Sequence, residues 1–338
     1  PSLKEKIFKK FYVYKMEAVR IGKRSQTYLL DFCSVELISS VNTRISKSFT
    51  GKISNTVKTL FKDDKYLASD KTLVVDETKN DASFISPYWS PLKTINWCSE
   101  RAMNKRGVAN YLFYETNKTF EFCSIDTLVN TDAIRKYTLS DIDSRTQAPD
   151  DFGIQYTNVE SVNTDVAFDY IKNLSSGMYG SSLYTYDLTT KSIDTTKYDY
   201  IKDFAKTNHL DKYPLHTPDL LKKLQSSTHH IVKNNYLNGN KRPMMFNESF
   251  QQRNSLMAQI NSFKFDISVF GRTDTKIGDV IEFEMPELRE ITADQIESTK
   301  SSTFSGRYLI TAIRHSILQG NHKMSMEITS DSFAKALQ

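Results

Sequence analysis

The feature that most constrains this chain is its last quarter, where side-chain character alternates along successive short runs. Phe263–Phe270, Lys276–Glu284, Gly306–Ile317 and His322–Thr329 each alternate apolar and polar residues or carry β-branched ones. A period of two sends neighbouring side chains to opposite faces, so each run reads as a strand with one face covered. The turns contain Gly271, Gly278 and Gly320. Four strands joined by glycine-bearing turns predict a small antiparallel barrel or sandwich. The acidic, Ser/Thr-rich stretch Glu287–Ser305 reads as an exposed loop inserted into it.

The N-terminal end repeats the β signal. Phe8–Tyr14 and Gln26–Cys33 are rich in aromatic and branched residues, with Gly22-Lys-Arg-Ser25 between them as a turn. A lone hairpin is marginal in water, so this one needs partners. The chain opens at Pro1 without an initiator methionine. The expectation is therefore that later strands, an upstream segment or neighbouring chains complete the hairpin's sheet.

Between the two ends, helical and extended patterns alternate. Val35, Ile38, Val41 and Ile45 leave a short helix open within Ser34–Lys47, and Ile53–Lys62 carries Val57, Leu60 and Phe61 on one helical face. Lys71–Asp76 reads as a strand. Ser90-Pro91 is a strong helix start, since serine caps exposed amides and proline at the first helical position sacrifices no hydrogen bond. Leu92, Ile95, Cys98 and Ala102 follow at helical spacing. Asn110–Glu115 and Thr119–Ser124 predict a hairpin around Thr116-Asn-Lys118. Thr164 or Asp165 is expected to open a helix through Phe168, Ile171 and Leu174, closed at Gly177. Strand Ser181–Asp187 follows, then the polar stretch Leu188–Asn247 with a turn at Asn238-Gly239. A helix over Ser249–Ser262 uses Phe250, Leu256, Met257 and Ile260.

Composition removes several classes. The 20 Phe and 18 Tyr argue against disorder. The 45 basic residues are interspersed with 40 acidic ones for a net charge of +5, and no basic run interleaves with aromatics as a nucleic-acid platform requires. No stretch reaches the ~20 apolar residues of a bilayer span, and Pro1-Ser-Leu-Lys-Glu-Lys does not read as a signal peptide. Three cysteines, Cys33, Cys98 and Cys123, are an odd and widely spaced set, which reads as reduced thiols folded in a cytoplasm.

Each candidate chemical site has a plainer reading. His229-His230 are adjacent and point apart, with no further ligand at metal-binding spacing. Asp141 and Asp143 would share a face if extended, as a glycosidase pair must, but paired acids are common in polar loops; Asp63-Asp64 and Asp150-Asp151 stand the same way. Thr273–Asp279 mimics a phosphate loop but lacks the required glycine and lysine order and precedes a strand, so it reads as a turn. Asn117, Asn173 and Asn247 match the glycosylation pattern, which has weight only in secreted eukaryotic chains. Cys98 follows Trp97 within a helix's apolar stripe and reads as a packed thiol. The expectation is a protein with no catalytic residues, no cofactor and no metal.

Two stretches carry a resemblance. The first is Ile277-Gly-Asp-Val-Ile-Glu-Phe283, then Ser305-Gly-Arg-Tyr-Leu-Ile-Thr-Ala-Ile-Arg-His315, then Lys323-Met-Ser-Met-Glu-Ile-Thr329 with Asp331. It resembles the closing strands of the barrel in baseplate hub proteins of contractile phage tails, including late-control hub proteins and the hub part of type VI secretion spikes. The second, Ser86-Pro-Tyr-Trp89-Ser-Pro-Leu-Lys-Thr-Ile-Asn-Trp97 with Tyr111–Glu115, is similar to a linker, helix and hairpin of T-even-type hubs. The resemblance implies an α+β, mainly β fold: two small antiparallel tube-type β-barrels plus an α/β connecting domain. Residues 1–45 would form part of a first barrel that is incomplete here. Residues 46–150 and 191–250 would form the connecting and peripheral parts, and 151–190 with 251–338 the second barrel, including the strand near Ser181.

In function, the resemblance implies a non-enzymatic hub in the virion tail, assembled in the host bacterial cytoplasm. It would be a homotrimer whose six barrels form a pseudo-sixfold ring, matching a sixfold tail tube (or tube-initiator protein) to a threefold spike. DNA would pass through its channel without sequence-specific binding, and no membrane partner is expected. Two other classes stay open: a phage-borne cell-wall hydrolase using acids near Asp141, and a receptor- or glycan-binding tail module presenting Trp89 or Trp97.

Overall fold

A computed structural model describes residues 9–139, 157–164, 168–187, 191–215, 228–233, 246–286 and 303–335. The chain begins with β1 (Tyr12–Ile21), β2 (Gln26–Cys33), α1 (Val35–Asn42), β3 (Ile45–Lys52) and α2 (Ile53–Lys62). There follow β4 (Thr72–Val75), β5 (Asp81–Trp89), α3 (Pro91–Ser99), β6 (Tyr111–Glu115), β7 (Thr119–Ser124) and α4 (Ile125–Val129). The middle holds β8 (Lys136–Thr138), β9 (Val159–Asn163), α5 (Tyr170–Ser175), β10 (Gly180–Asp187), β11 (Ser192–Asp199), α6 (Tyr200–Phe204), β12 (Tyr213–Pro214) and β13 (Thr228–Lys233). The end comprises α7 (Phe246–Ser262), β14 (Lys264–Phe270), β15 (Val280–Glu284), β16 (Gly306–Leu318), β17 (Asn321–Thr329) and β18 (Ser332–Phe333). The architecture is α+β and mainly β.

The four C-terminal runs become β14 to β17, the backbone of a six-stranded sheet ordered β8–β15–β16–β17–β14–β9. β14 pairs with β17 rather than with β15, which follows it in sequence. The sheet curls until its outer strands meet: Thr138 bridges Asn158, and Thr138 N donates to the Thr157 carbonyl at 3.0 Å. Alternation sends Phe265, Ile267 and Val269 of β14 and Met324, Met326 and Ile328 of β17 inward, all buried. Phe263 and Phe283 pack on the same core with their rings 6.2 and 5.8 Å from that of Tyr308.

The second body is α/β. α2 lays Ile53, Val57, Leu60 and Phe61 against the two-stranded sheet β3–β5, the sheet β4–β7–β6 and α3. Ser90 caps α3 by accepting from Lys93 N at 3.4 Å, with Pro91 at the first helical position as expected. β3 and β5 escaped the sequence reading. Polar Ser46–Thr50 carries little strand signal, and Ser86–Tyr88 reads as a linker because of Pro87; pairing to each other makes both strands. α7 pins the bodies together. Its Arg253 donates to the carbonyls of Ser99 and Tyr111, both at 3.0 Å, and its Gln251 to Ser181 O at 2.9 Å. Burial pushes the Arg253 guanidinium pKa down to about 10.

Several expectations are corrected. The strand near Ser181, expected in the second barrel, is β10, and it lies in a separate sheet ordered β11–β10–β13. Both its edges are taken, by antiparallel β11 and parallel β13, so it offers none to the curled sheet. That sheet recruits β8 and β9 instead, which are too short to show a period. Among the described residues the helix through Ile171 and Leu174 spans Tyr170–Ser175 and Thr164 is not helical; Asp169 caps the helix by accepting from Lys172 N at 2.9 Å. Ile171, expected on its packed face, is 78% exposed. Leu188–Asn247 holds β11, α6, β12 and β13 despite its bland composition. Asp141, Asp143, Asp150, Asp151, Asp165, Asn238-Gly239 and most of the 287–305 insert lie outside the described residues.

Candidate assembly surface

The N-terminal hairpin is where the chain departs most from a self-sufficient fold. β1 starts at Tyr12, later than the sequence suggests, and runs on to Ile21; β2 occupies Gln26–Cys33 as expected. They pair only with each other among the described residues, so the other strands of an N-terminal barrel are not found there. Residues opposite one another across the pair share a face. The pairings Val13↔Phe32, Met16↔Leu30 and Ile21↔Gln26, with Tyr28, make one face apolar. Tyr12↔Cys33, Lys15↔Asp31, Glu17↔Leu29 and Arg20↔Thr27 make the other largely polar.

This is the pattern of a strand pair with one face in a core, yet the apolar face meets solvent. Val13, Met16, Ile21, Tyr28, Leu30 and Phe32 are between 39% and 72% exposed. On the polar face Lys15 is 2.6 Å from Glu17. Among the described residues this amphipathic ribbon pairs with no third strand and leaves its apolar face exposed, and so large a continuous patch is rare on a solitary chain.

The hairpin's root is held by charge. Glu115, at the end of β6, takes Lys9 at 2.9 Å, Lys71 at 2.8 Å and the Ser34 hydroxyl at 2.6 Å. Burial works to raise the Glu115 pKa, but hydrogen bonds from Lys71, Ser34 and Lys9 hold it below the usual carboxylate value. Lys71 also reaches buried Glu36 of α1 at 2.8 Å. The hairpin is therefore presented from a fixed base.

The residues that the sequence singled out as candidates for chemistry are scattered over the fold. Asp63 caps a turn by accepting from Lys65 N at 2.9 Å, and Asp64 is exposed. Thr273–Asp279 is a connection between strands, as expected: Asp279 accepts from Lys276 N, and Gly278 has φ +90° beside the Tyr114 hydroxyl. Cys98 and Cys123 are buried, and burial pushes each thiol up to about 12. Trp97 packs between Phe84, 4.3 Å away, and the Arg101 guanidinium, 4.1 Å away. Trp89 sits 6.0 Å from Trp97. His229 and His230 lie on β13, opposite Ser182 and Leu183. Asn117 lies in the β6–β7 turn, and Asn173 is buried on α5.

One arrangement was invisible in the sequence because its members are far apart. Asp331 Oδ2 lies 2.7 Å from His209 Nδ1, and His209 Nε2 lies 2.8 Å from Thr207 Oγ1, the connectivity of a nucleophile relay. It serves as a clasp. Nε2 is also 3.1 Å from the Phe204 carbonyl, which can only accept, and the imidazole stacks on Phe204 at 3.6 Å. The His209 side chain is only 5% exposed, leaving no approach for a substrate. Around it Asp331 Oδ1 accepts from Leu210 N, Asp211 N donates to Ser332 Oγ, and β12 pairs with β18. Together these tie residues 207–214 to the end of the curled sheet.

The described residues thus form a curled sheet, an α/β body and a hairpin whose apolar face is exposed. No family model matches the sequence, and no curated protein matches it. Solved structures do match in fold. The tail protein from Neisseria meningitidis MC58 aligns with TM-score 0.53 and 11% identity, over 95% of this chain and 79% of that one. The 43 kDa tail protein of prophage MuSo2 from Shewanella oneidensis aligns with TM-score 0.52 and 8% identity, over 95% and 78%. An E. coli type VI secretion component, described as structurally similar to T4 tail proteins, aligns at 0.45 and 9%, over 96% and 61%, which is too weak to show a shared fold. At these identities, what this chain shares with the two tail proteins is the fold.

Proposed function

We propose that this protein is a structural hub of a contractile phage-tail baseplate. In this reading three copies form a pseudo-sixfold ring that joins a sixfold tail tube to a threefold spike and surrounds the channel through which DNA leaves. The observation that carries it is the β1–β2 hairpin: an apolar face left open by the described residues, set on a charged root, in a fold shared with tail proteins. Each subunit contributes its curled sheet as one barrel, and the hairpins, laid against neighbouring copies, contribute to the second. Closing a ring covers strand edges that would otherwise recruit chains without limit. The role is structural rather than catalytic, in keeping with a His209–Asp331 relay enclosed in the fold.

The test is assembly. The full chain should sediment as a trimer and appear as a ring by electron microscopy. Met16→Glu and Phe32→Glu should leave monomers whose melting temperature stays within a few degrees of wild type, because exposed side chains contribute little to the isolated fold. A chain that stays monomeric at every concentration, with tube and spike proteins present, would refute the proposal.

A further inference from the structure

We propose that His315 and His322 form a two-imidazole site for a borderline divalent metal of the zinc, nickel or copper class, bridging β16 and β17 where they project beyond the core. The two histidines are diagonal neighbours. His315 pairs with Met324 and His322 with Ile317, so both side chains stand on the inward face that carries Met324, Met326 and Ile313. That apolar stripe ends in the two rings. Beyond them the strands run on to a turn at Gln319-Gly320, with Ile317 and Leu318 each 72% exposed.

His315 Nδ1 and His322 Nε2 are 3.0 Å apart. Two imidazole nitrogens bound at about 2.0–2.1 Å to one ion, with an angle of about 90–110° between them, are separated by roughly 2.9–3.4 Å. The observed spacing therefore matches a shared ion with little ring movement. Without metal, the rings share one hydrogen bond, while His315 Nε2 is buried and has no partner among the described residues. The packing brings the rings together: a Cβ on Gly271 would collide with the His322 ring, so only glycine lets that ring lie there. The neighbouring cation does not compete. Lys323 points to the opposite face and is held by Glu160 at 2.6 Å.

Neutral imidazole nitrogens suit zinc, nickel and copper over calcium or magnesium, which prefer oxygen. Among the described residues no group of three or more His, Cys, Asp or Glu converges on one point, so the chain supplies two ligands and water completes the shell. Ligation needs both rings neutral, with one of them exchanging its tautomer. The metal would cross-link two strands that otherwise have little packing around them, stiffening the projecting tip.

Calorimetric titration of the untagged full chain with zinc chloride, beside hydrogen exchange across residues 314–323, tests this. The expected result is one saturable zinc per chain, weakened at least ~10-fold in His315→Ala and in His322→Ala, with slower exchange across the hairpin when wild type is loaded. No saturable event below about 1 mM in wild type, or zinc binding as tight in both variants as in wild type, would overturn it. If either variant fails to fold, the wild-type exchange decides: zinc that leaves residues 314–323 unprotected is bound elsewhere, and the proposal fails.

Discussion

At Asp211 the clasp between the peripheral segment and the curled sheet becomes measurable through pH. Its carboxylate accepts from Arg307 N at 3.0 Å, but burial dominates and pushes its pKa up from 3.8 to about 6. The folded chain thus holds this proton more tightly than the unfolded chain does. A difference of that size is worth roughly 3 kcal/mol when fully expressed, and partial access to solvent reduces it to about 1–2 kcal/mol. The sign follows from a raised folded value: the contribution is complete below about pH 4 and is lost as pH rises through about 6. Asp211→Asn keeps an acceptor for Arg307 N and removes the buried charge. Urea unfolding should therefore show the variant more stable than wild type by about 1–2 kcal/mol at pH 8, with the gap closing toward pH 4. A gap independent of pH, or a variant weaker than wild type at pH 8, would refute the reasoning.

Three further outcomes follow from single contacts. Gly278→Ala should cost about 1–3 kcal/mol in urea unfolding, because φ is +90° and a Cβ would lie 2.5 Å from the Tyr114 hydroxyl, itself tied to Glu121. Of the three cysteines, only partly exposed Cys33 should react with a thiol reagent at pH 8 in the native protein, with Cys98 and Cys123 following on unfolding, since burial raises both to about 12. Glu115→Gln should speed hydrogen exchange at the root of the β1–β2 hairpin above about pH 5. Because the Glu115 value is depressed, its stabilising contribution is present above the usual carboxylate range and lost as pH falls, so wild type and variant should converge in acid.

The local elements were legible where periodicity and capping agree. β14 to β17, α2, α3 and the β6–β7 hairpin could be drawn from the order of side chains, because each shows a clear apolar period, and several, such as α3 at Ser90-Pro91 and β14 at Gly271, end at a residue with a stereochemical reason to be there. β3, β5, β8 and β9 were not legible. They are short, polar or interrupted by proline, and become strands only because a partner supplies their hydrogen bonds. The amphipathic hairpin was visible as a hairpin in need of partners, but that its apolar face stays uncovered depended on where the rest of the chain went.

By itself, then, the sequence determined the extended or helical state only of segments with a clear period, and which of their faces want burial, since 2.0- and 3.6-residue periods are properties of the backbone. Only the tertiary structure decided which strands share a sheet. It moved the strand near Ser181 out of the curled sheet and brought in β8 and β9. It also decided which distant side chains meet: His209 with Asp331 across 122 positions, and Lys9, Ser34 and Lys71 on Glu115. Contacts of that kind follow from chain topology and leave no trace in local order.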